Sequence, residues 1–290
     1  MATTSFETLL YEIASAINDL IPGLRANDVQ LSGQCTTAGT VNSAIDTTNR
    51  FETADTLKNT IFRVADSTSD ATNGQVSEVS TFDPDAHIIT LKAALSAATD
   101  TATKYQLFRY FPPTVYKDAI NEAIEWAWPS IYNPVRNEAL TFTPGTYYQA
   151  LPSTVFHVSK VEVQTNLGNS TFPFEDITGD TKVDWSGETG RLYHYGYYPA
   201  GATFRITGIG RLTAVSTDAS TVEVSASRVL PIKLYAIHYM FSQMANPDTG
   251  VNPEAAMAKA DKYLMKAESA LMTKRMPWPR SARSPSTLYL

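Results

Sequence analysis

The feature that most limits what this chain can fold into is a change of hydrophobic period. Residues 114–132, TVYKDAINEAIEWAWPSIY, carry Ile120, Ala123, Ile124, Ala127 and Ile131 at helical spacing. The sequence on both sides reads instead as short β-like runs, so one helix has to cover strands that flank it. Asp118, Glu122 and Glu125 fall at i, i+4 and i+7 on another side of the same helix, which reads as a solvated or partner-facing edge. Thr114 suits an N-cap behind Pro112-Pro113, and Pro129 stops or kinks the helix near Trp128. Trp126 and Trp128 are two residues apart and diverge by about 200° on a helix. One of them must therefore pack away from the stripe, against a strand layer or another subunit.

The remaining elements follow from period and punctuation. Residues 4–21 predict a helix on Phe6, Leu9, Leu10, Ile13 and Ile17, capped by Thr4 or Ser5 and stopped by Pro22-Gly23. From residue 29 to 110 the chain turns rich in Thr, Ser and Asp, with strands expected at 60–65, 88–91 and 104–110 and turns at 70–74 and 83–85. Residues 138–142, 147–151, 156–164, 191–195 and 203–209 predict a second antiparallel layer. Its alternation slips once between Val158 and Val161, where a bulge fits. Pro231 opens a helix to Met244, and Asn252-Pro253 opens another to about Met276, with Met257, Ala260, Leu264, Ala267 and Leu271 as its stripe. The division expected is an N-terminal helix (1–28), an inserted β subdomain (29–110), a central helix (111–133), an antiparallel β region (134–228), C-terminal helices (229–276) and an extended basic tail (277–290). The fold class expected is α+β: a helical bundle of the N-terminal, central and two C-terminal helices with two antiparallel β regions.

Charge separates the tail from the body. Residues 273–290 hold Lys274, Arg275, Arg280 and Arg283 and no acid, which leaves −10 on the rest of a chain whose formal net charge is −6. Pro277, Pro279 and Pro285 keep this stretch extended. The tail reads as a docking arm, with Lys274, Arg275, Arg280 and Arg283 for an acidic partner and Trp278, Leu288 and Tyr289 as apolar anchors. Trp126, Trp128 and Tyr132 are the candidates for packing between subunits. The single cysteine, Cys35, rules out an internal disulfide framework and a cysteine-based metal cluster. No apolar run reaches membrane-spanning length, and the first basic residue, Arg25, comes too late for a charged leader. A soluble protein made in a cytoplasm is the expectation.

Signatures of chemistry are scarce. His87, His157, His194 and His238 show no metal spacing, and no phosphate loop, dinucleotide fingerprint or nucleophile elbow is present. His194, among tyrosines, has the most binding-like setting. The acid sets Asp83/Asp85 and Asp176/Asp180/Asp184 lack the full calcium-loop pattern. The aromatic run 193–198 near Trp185 could stack on a sugar, although packing is its plainer use. No catalytic residue, metal or cofactor is expected.

Several stretches in order resemble the head-to-tail adaptor (connector) proteins of tailed bacteriophages. They are FETLLYEIASAINDL, GQVSEVSTFDPDAHIITL, YKDAINEAIEWAWPSIY, the pair in TYYQALPSTVFHVSKVEV, and the closing helices PIKLYAIHYMF and PEAAMAKADKYLMKAESAL. The resemblance implies a non-enzymatic virion protein forming a homo-oligomeric ring, commonly twelve-fold, in the neck between head and tail. Its partners would be the portal protein, which the C-terminal arm reaches, and a tail or nozzle protein. Double-stranded DNA would pass through the lumen without sequence-specific binding, and no membrane would be involved. The alternatives are another virion component (tail-completion, tail-tube or head-decoration protein) and a carbohydrate-active tail protein using Asp184 or Glu188 beside Trp185.

Overall fold

The computed structural model describes residues 3–17, 32–48, 57–68, 72–165, 173–186, 189–246, 249 and 251–277. The expected helical bundle with two β regions is not what forms. Among the described residues sixteen strands build four antiparallel sheets, and only four α-helices accompany them. The excess of β structure comes from short strands in Ser-, Thr- and Gly-rich sequence, where an existing ladder recruits segments that show little alternation of their own.

The first strand, β1 (Thr4–Ser5), leads directly into α1 (Phe6–Ala16). Ser5 caps the helix by accepting from the Thr8 amide at 3.3 Å. Phe6, Leu9, Leu10 and Ile13 are all fully buried, each contributing about 1.5–3 kcal/mol of burial. A seven-stranded sheet follows, built from β2 (Ser32–Gln34), β3 (Thr37–Thr40), β4 (Ser43–Ile45), β5 (Ile61–Asp66), β6 (Val76–Asp83), β7 (Ile88–Leu91) and β8 (Lys104–Phe108). Its order is β2-β8-β5-β6-β7-β4-β3. Phe62, Val64, Val79, Phe82, Ile89, Tyr105 and Leu107 make a core of its own, in which the Phe62 and Tyr105 rings stack at 5.1 Å. The Tyr105 hydroxyl donates to the fully buried Asp46 carboxylate at 2.8 Å. Gly33 lets β2 approach that ring: a Cβ there would lie 2.3 Å from Tyr105 Cζ.

The central helix α2 (Pro113–Ala127) starts one residue before Thr114, with Pro112 in the capping position and no side-chain cap. Its stripe is buried at every expected position, Ile120, Ala123, Ile124 and Ala127, and Ile131 beyond it. Asp118, Glu122 and Glu125 are exposed on the opposite side. The helix ends at Trp128, whose peptide bond to Pro129 is cis.

A four-stranded sheet of order β12-β11-β15-β9 comes next, formed by β9 (Asn133–Thr141), β11 (His157–Gln164), β12 (Glu175–Asp176) and β15 (Thr203–Gly210). Its register slips between Val158 and Lys160, at the phase change legible in the sequence. Beside it lies a three-stranded sheet of order β10-β14-β13: β10 (Tyr148–Ala150), β13 (Thr181–Ser186) and β14 (Thr189–His194). The two sheets share a core of Phe142, Leu151, Val161, Val163, Leu192, Phe204 and Ile206. The short β16 (Thr221–Val222) pairs with β1.

The last helices, α3 (Leu230–Met244) and α4 (Pro253–Lys274), pack on each other, and α3 also packs on α2 and α1. All four helices, with Ile209, Leu212, Val215, Val222 and Val224, enclose the largest core. The stripe expected on α4 is turned. Ala256, Ala260 and Ala267 are its buried line, whereas Met257 is exposed and Leu264 and Leu271 are half-buried. Small residues let the two backbones approach closely, so the larger side chains are displaced to the flank. His238 Nδ1 meets the Ala260 carbonyl at 3.0 Å across this contact.

Candidate docking surfaces

The root of the C-terminal segment is fixed to the link between the central helix and β9. Past Lys274, which is half-buried, and Arg275, which is exposed, Met276 is buried and its amide donates to the Ser130 carbonyl at 2.9 Å. The Tyr132 hydroxyl donates to the Pro277 carbonyl at 2.5 Å. Tyr132 is itself buried, and that burial pushes its phenol above the usual tyrosine range. A groove of about 140 Å³ opens here, lined by Tyr132, Pro134, Glu223, Ser225, Arg228 and Met276 among others. Trp278, Arg280, Arg283, Leu288 and Tyr289, the other arm residues singled out in the sequence, lie outside the described residues.

The two tryptophans part as the helix geometry requires. Trp126 stacks on Tyr235 of α3 with ring centres 4.4 Å apart. Trp128 turns to the strand layer and meets Phe156 edge-on at 5.6 Å, with the Arg211 guanidinium 5.7 Å from its ring. Both tryptophans are half-buried and have partners within the chain.

A charged joint ties the seven-stranded sheet to the helices. Arg63, only 1% exposed, projects from β5 and donates to Gln106 at 2.7 Å and to Asp218 at 2.7 Å, and it also pairs with Glu7 of α1. Lys117 of α2 reaches the other oxygen of Asp218 at 2.7 Å. Burial disfavours the charged Asp218 carboxyl, but hydrogen bonds from Lys117 and Arg63 outweigh it and hold its pKa below the usual range. Burial likewise disfavours the Arg63 cation, and Glu7 and Asp218 more than compensate. Gly74, at φ +78°, lets the β5–β6 turn sit against Asp218, where a Cβ would lie 2.5 Å from Oδ2. The sequence carried one signal for this joint: a lone arginine in the apolar strand 60–65 has to find partners if it points inward.

No protein-family model matches this chain, and no curated protein matches it. Function is therefore read from the surfaces themselves. The outer face of the three-stranded sheet is rich in tyrosine. Tyr148, Tyr193 and Lys182 are cross-strand neighbours, as are Ala150, Arg191 and Asp184. Arg191 lies 5.0 Å from the Tyr148 ring. Tyr147, Tyr195 and Tyr197 are 84%, 72% and 95% exposed.

His194 points the other way. It sits among Phe142, Tyr198 and Phe204, with ring centres 5.1–5.8 Å away, and neither of its buried ring nitrogens has a hydrogen-bond partner. It is a packing residue of the β core rather than part of an open site. Burial lowers the pKa of His157. Asp83 accepts from the Asp85 and Ala86 amides at 3.0 Å, and Asp176 accepts from Thr178, so these acids serve their own turns. Among the described residues no group of three His, Cys, Asp or Glu side chains could hold a metal ion. No helix among them is long and apolar enough to cross a membrane.

Proposed function

We propose that this chain is a head-to-tail adaptor of a tailed bacteriophage: a structural subunit that closes into a ring between portal and tail and acts by shape and docking, without chemistry. The observation that carries this reading is the anchored arm. A Pro-rich segment with three further basic or aromatic anchors, Trp278, Arg280 and Arg283, follows directly on Met276 and Pro277, which are hydrogen-bonded to Ser130 and Tyr132 just past the central helix. An arm rooted at Ser130 and Tyr132, just past the central helix, would transmit a pull to the body, as an assembly latch must. The joint of Glu7, Arg63, Asp218 and Lys117 adds support, because its charges hold sheet, helices and loop together instead of lining a cleft. In this reading the arm takes the portal, the body meets a tail or nozzle protein, and DNA passes through the lumen by weak repulsion from an acidic wall.

The test is a chain ending at Pro277, which keeps the root and removes residues 278–290. It should keep the thermal unfolding midpoint of the full chain and lose co-sedimentation with portal rings. Undiminished binding to portal by the truncated chain would refute the latch. The exposed tyrosine face favours a second reading, a carbohydrate-contacting tail protein. That reading requires Tyr148→Ala, Tyr195→Ala and Tyr197→Ala together to abolish binding to host surface glycans while leaving neck assembly unchanged.

A further inference from the structure

The last helix, α4, carries two exposed faces of opposite charge. On one, Met257, Met265 and Met272 are 43%, 64% and 78% exposed, and the exposed Glu254, Asp261 and Glu268 share that side at intervals of seven residues. Lys259, Lys262 and Lys266 gather on another side, where Lys259 lies 5.4 Å from the Phe241 ring and Lys266 4.9 Å from the Tyr263 ring. A solvated helix ordinarily pairs its acids with cations three or four residues away. At those distances Asp261 has Met257, Ala258, Leu264 and Met265, and Glu268 has Leu264, Met265, Leu271 and Met272. None of the three acids is in an ion pair among the described residues. The face runs about 27 Å from residue 254 to residue 272. It offers flexible thioethers edged by unpaired carboxylates, which suits a basic partner with apolar side chains.

We infer that this acid–methionine face is the docking site of the chain's own basic C-terminal segment, residues 278–290. Charge complementarity selects the occupant, since the segment holds Arg280 and Arg283 and no acid, with Trp278, Leu288 and Tyr289 as its large apolar side chains. Spacing agrees. Arginines three apart in an extended chain stand about 9 Å from each other, and acids seven apart on a helix about 10.5 Å. Reach agrees as well. The segment begins at the root beside Pro277, just past the end of α4 at Lys274, and its thirteen residues extended cover about 40 Å, more than the length of the face. Laid back along α4, it brings Arg280 to Glu268 and Arg283 to Asp261, and the methionine sulfurs receive its aromatic rings. The short tether gives the segment a high effective concentration at this face. The contact goes beyond the ring reading: it is a resting place within one chain, from which a portal has to displace the arm.

Cross-linking of the full chain with a short bismaleimide, without portal, tests this, because the native Cys35 is buried and leaves the background quiet. Met265→Cys with Ser281→Cys should close within one chain. Lys266→Cys with Ser281→Cys has the same tether but starts from the lysine face, and should close several times more slowly. Arg280→Glu with Arg283→Glu, added to the first pair, should slow closure about tenfold, and further adding Asp261→Arg with Glu268→Arg should restore it. A second readout needs no cross-linker. The emission of Trp278, taken as the difference between the parent and Trp278→Phe, should shift to the red when Arg280 and Arg283 are reversed. Equal rates from the two faces, closure indifferent to the charge reversals, or cross-links between chains only would overturn this contact and leave the latch reading standing. Failure of the full chain to bind portal rings would overturn the latch and leave this contact in place.

Discussion

The central helix and the last helix bury their residues in opposite ways. The fifteen-residue α2 buries seven side chains, among them Tyr116, Ile120 and Ile124, and is also tied by Lys117 to the Arg63 joint. The twenty-two-residue α4 buries only Ala256, Ala260 and Ala267, and its methionines and lysines remain outside. A helix that spends its large apolar side chains inward is scaffold. One that buries alanines, packs Tyr263 and Leu271 at its flank and leaves its methionines exposed keeps an outer face open to solvent.

Four substitutions sharpen this contrast. Ile120→Ala should cost about 2–5 kcal/mol in denaturant unfolding, because it empties a fully buried site on α2. Cutting the joint comes next. Arg63→Ala should cost about 3 kcal/mol, toward the low end for a buried pair, since Glu7 and Asp218 keep 40% and 29% exposure and can hydrate once the arginine is gone. The joint also predicts an acid response. The native pKa of Asp218 is depressed from its ordinary value of 3.8, so its contribution is complete above that value and is lost as pH falls through the lower native one. Asp218→Asn should accordingly flatten the part of the stability profile below about pH 4. Smallest of all, Met272→Ser on α4 should stay within about 0.5 kcal/mol of the parent. A loss as large as that of Ile120→Ala would mean that α4 is scaffold as well.

Helices were the legible part of this sequence. The stripes of α1 and α2 are spaced as packed, and Ser5 caps where a cap was expected. Strands with large alternating residues, such as β7 and β11, also fall near their expected bounds. What could not be read was the weight of β structure. The run GQCTTAGTVNSAID at 33–46 has almost no large apolar side chains, yet β2, β3 and β4 form there because β8 and β7 offer them edges. The same holds for β13, held by β14 through six residue pairs. The α4 stripe was misplaced because residue size suggested Met257 inward, where close helix approach selects Ala256. Of the candidate docking surfaces, the root at Met276 and Pro277 was not legible, since it depends on Tyr132 meeting Pro277 145 positions later. The joint was equally hidden, with Arg63 and Asp218 separated by 155 positions.

Cys35 offers a control for all of these variants. Burial pushes its thiol up to about 11, so it should resist maleimide at pH 8 until the seven-stranded sheet opens. The measurement that bears most directly on the proposed function is the mass of the full chain mixed with portal rings. The adaptor reading predicts one closed ring of fixed copy number on each portal, released when residues 278–290 are removed. Single copies binding portal at scattered stoichiometry, or no binding at all, would contradict it.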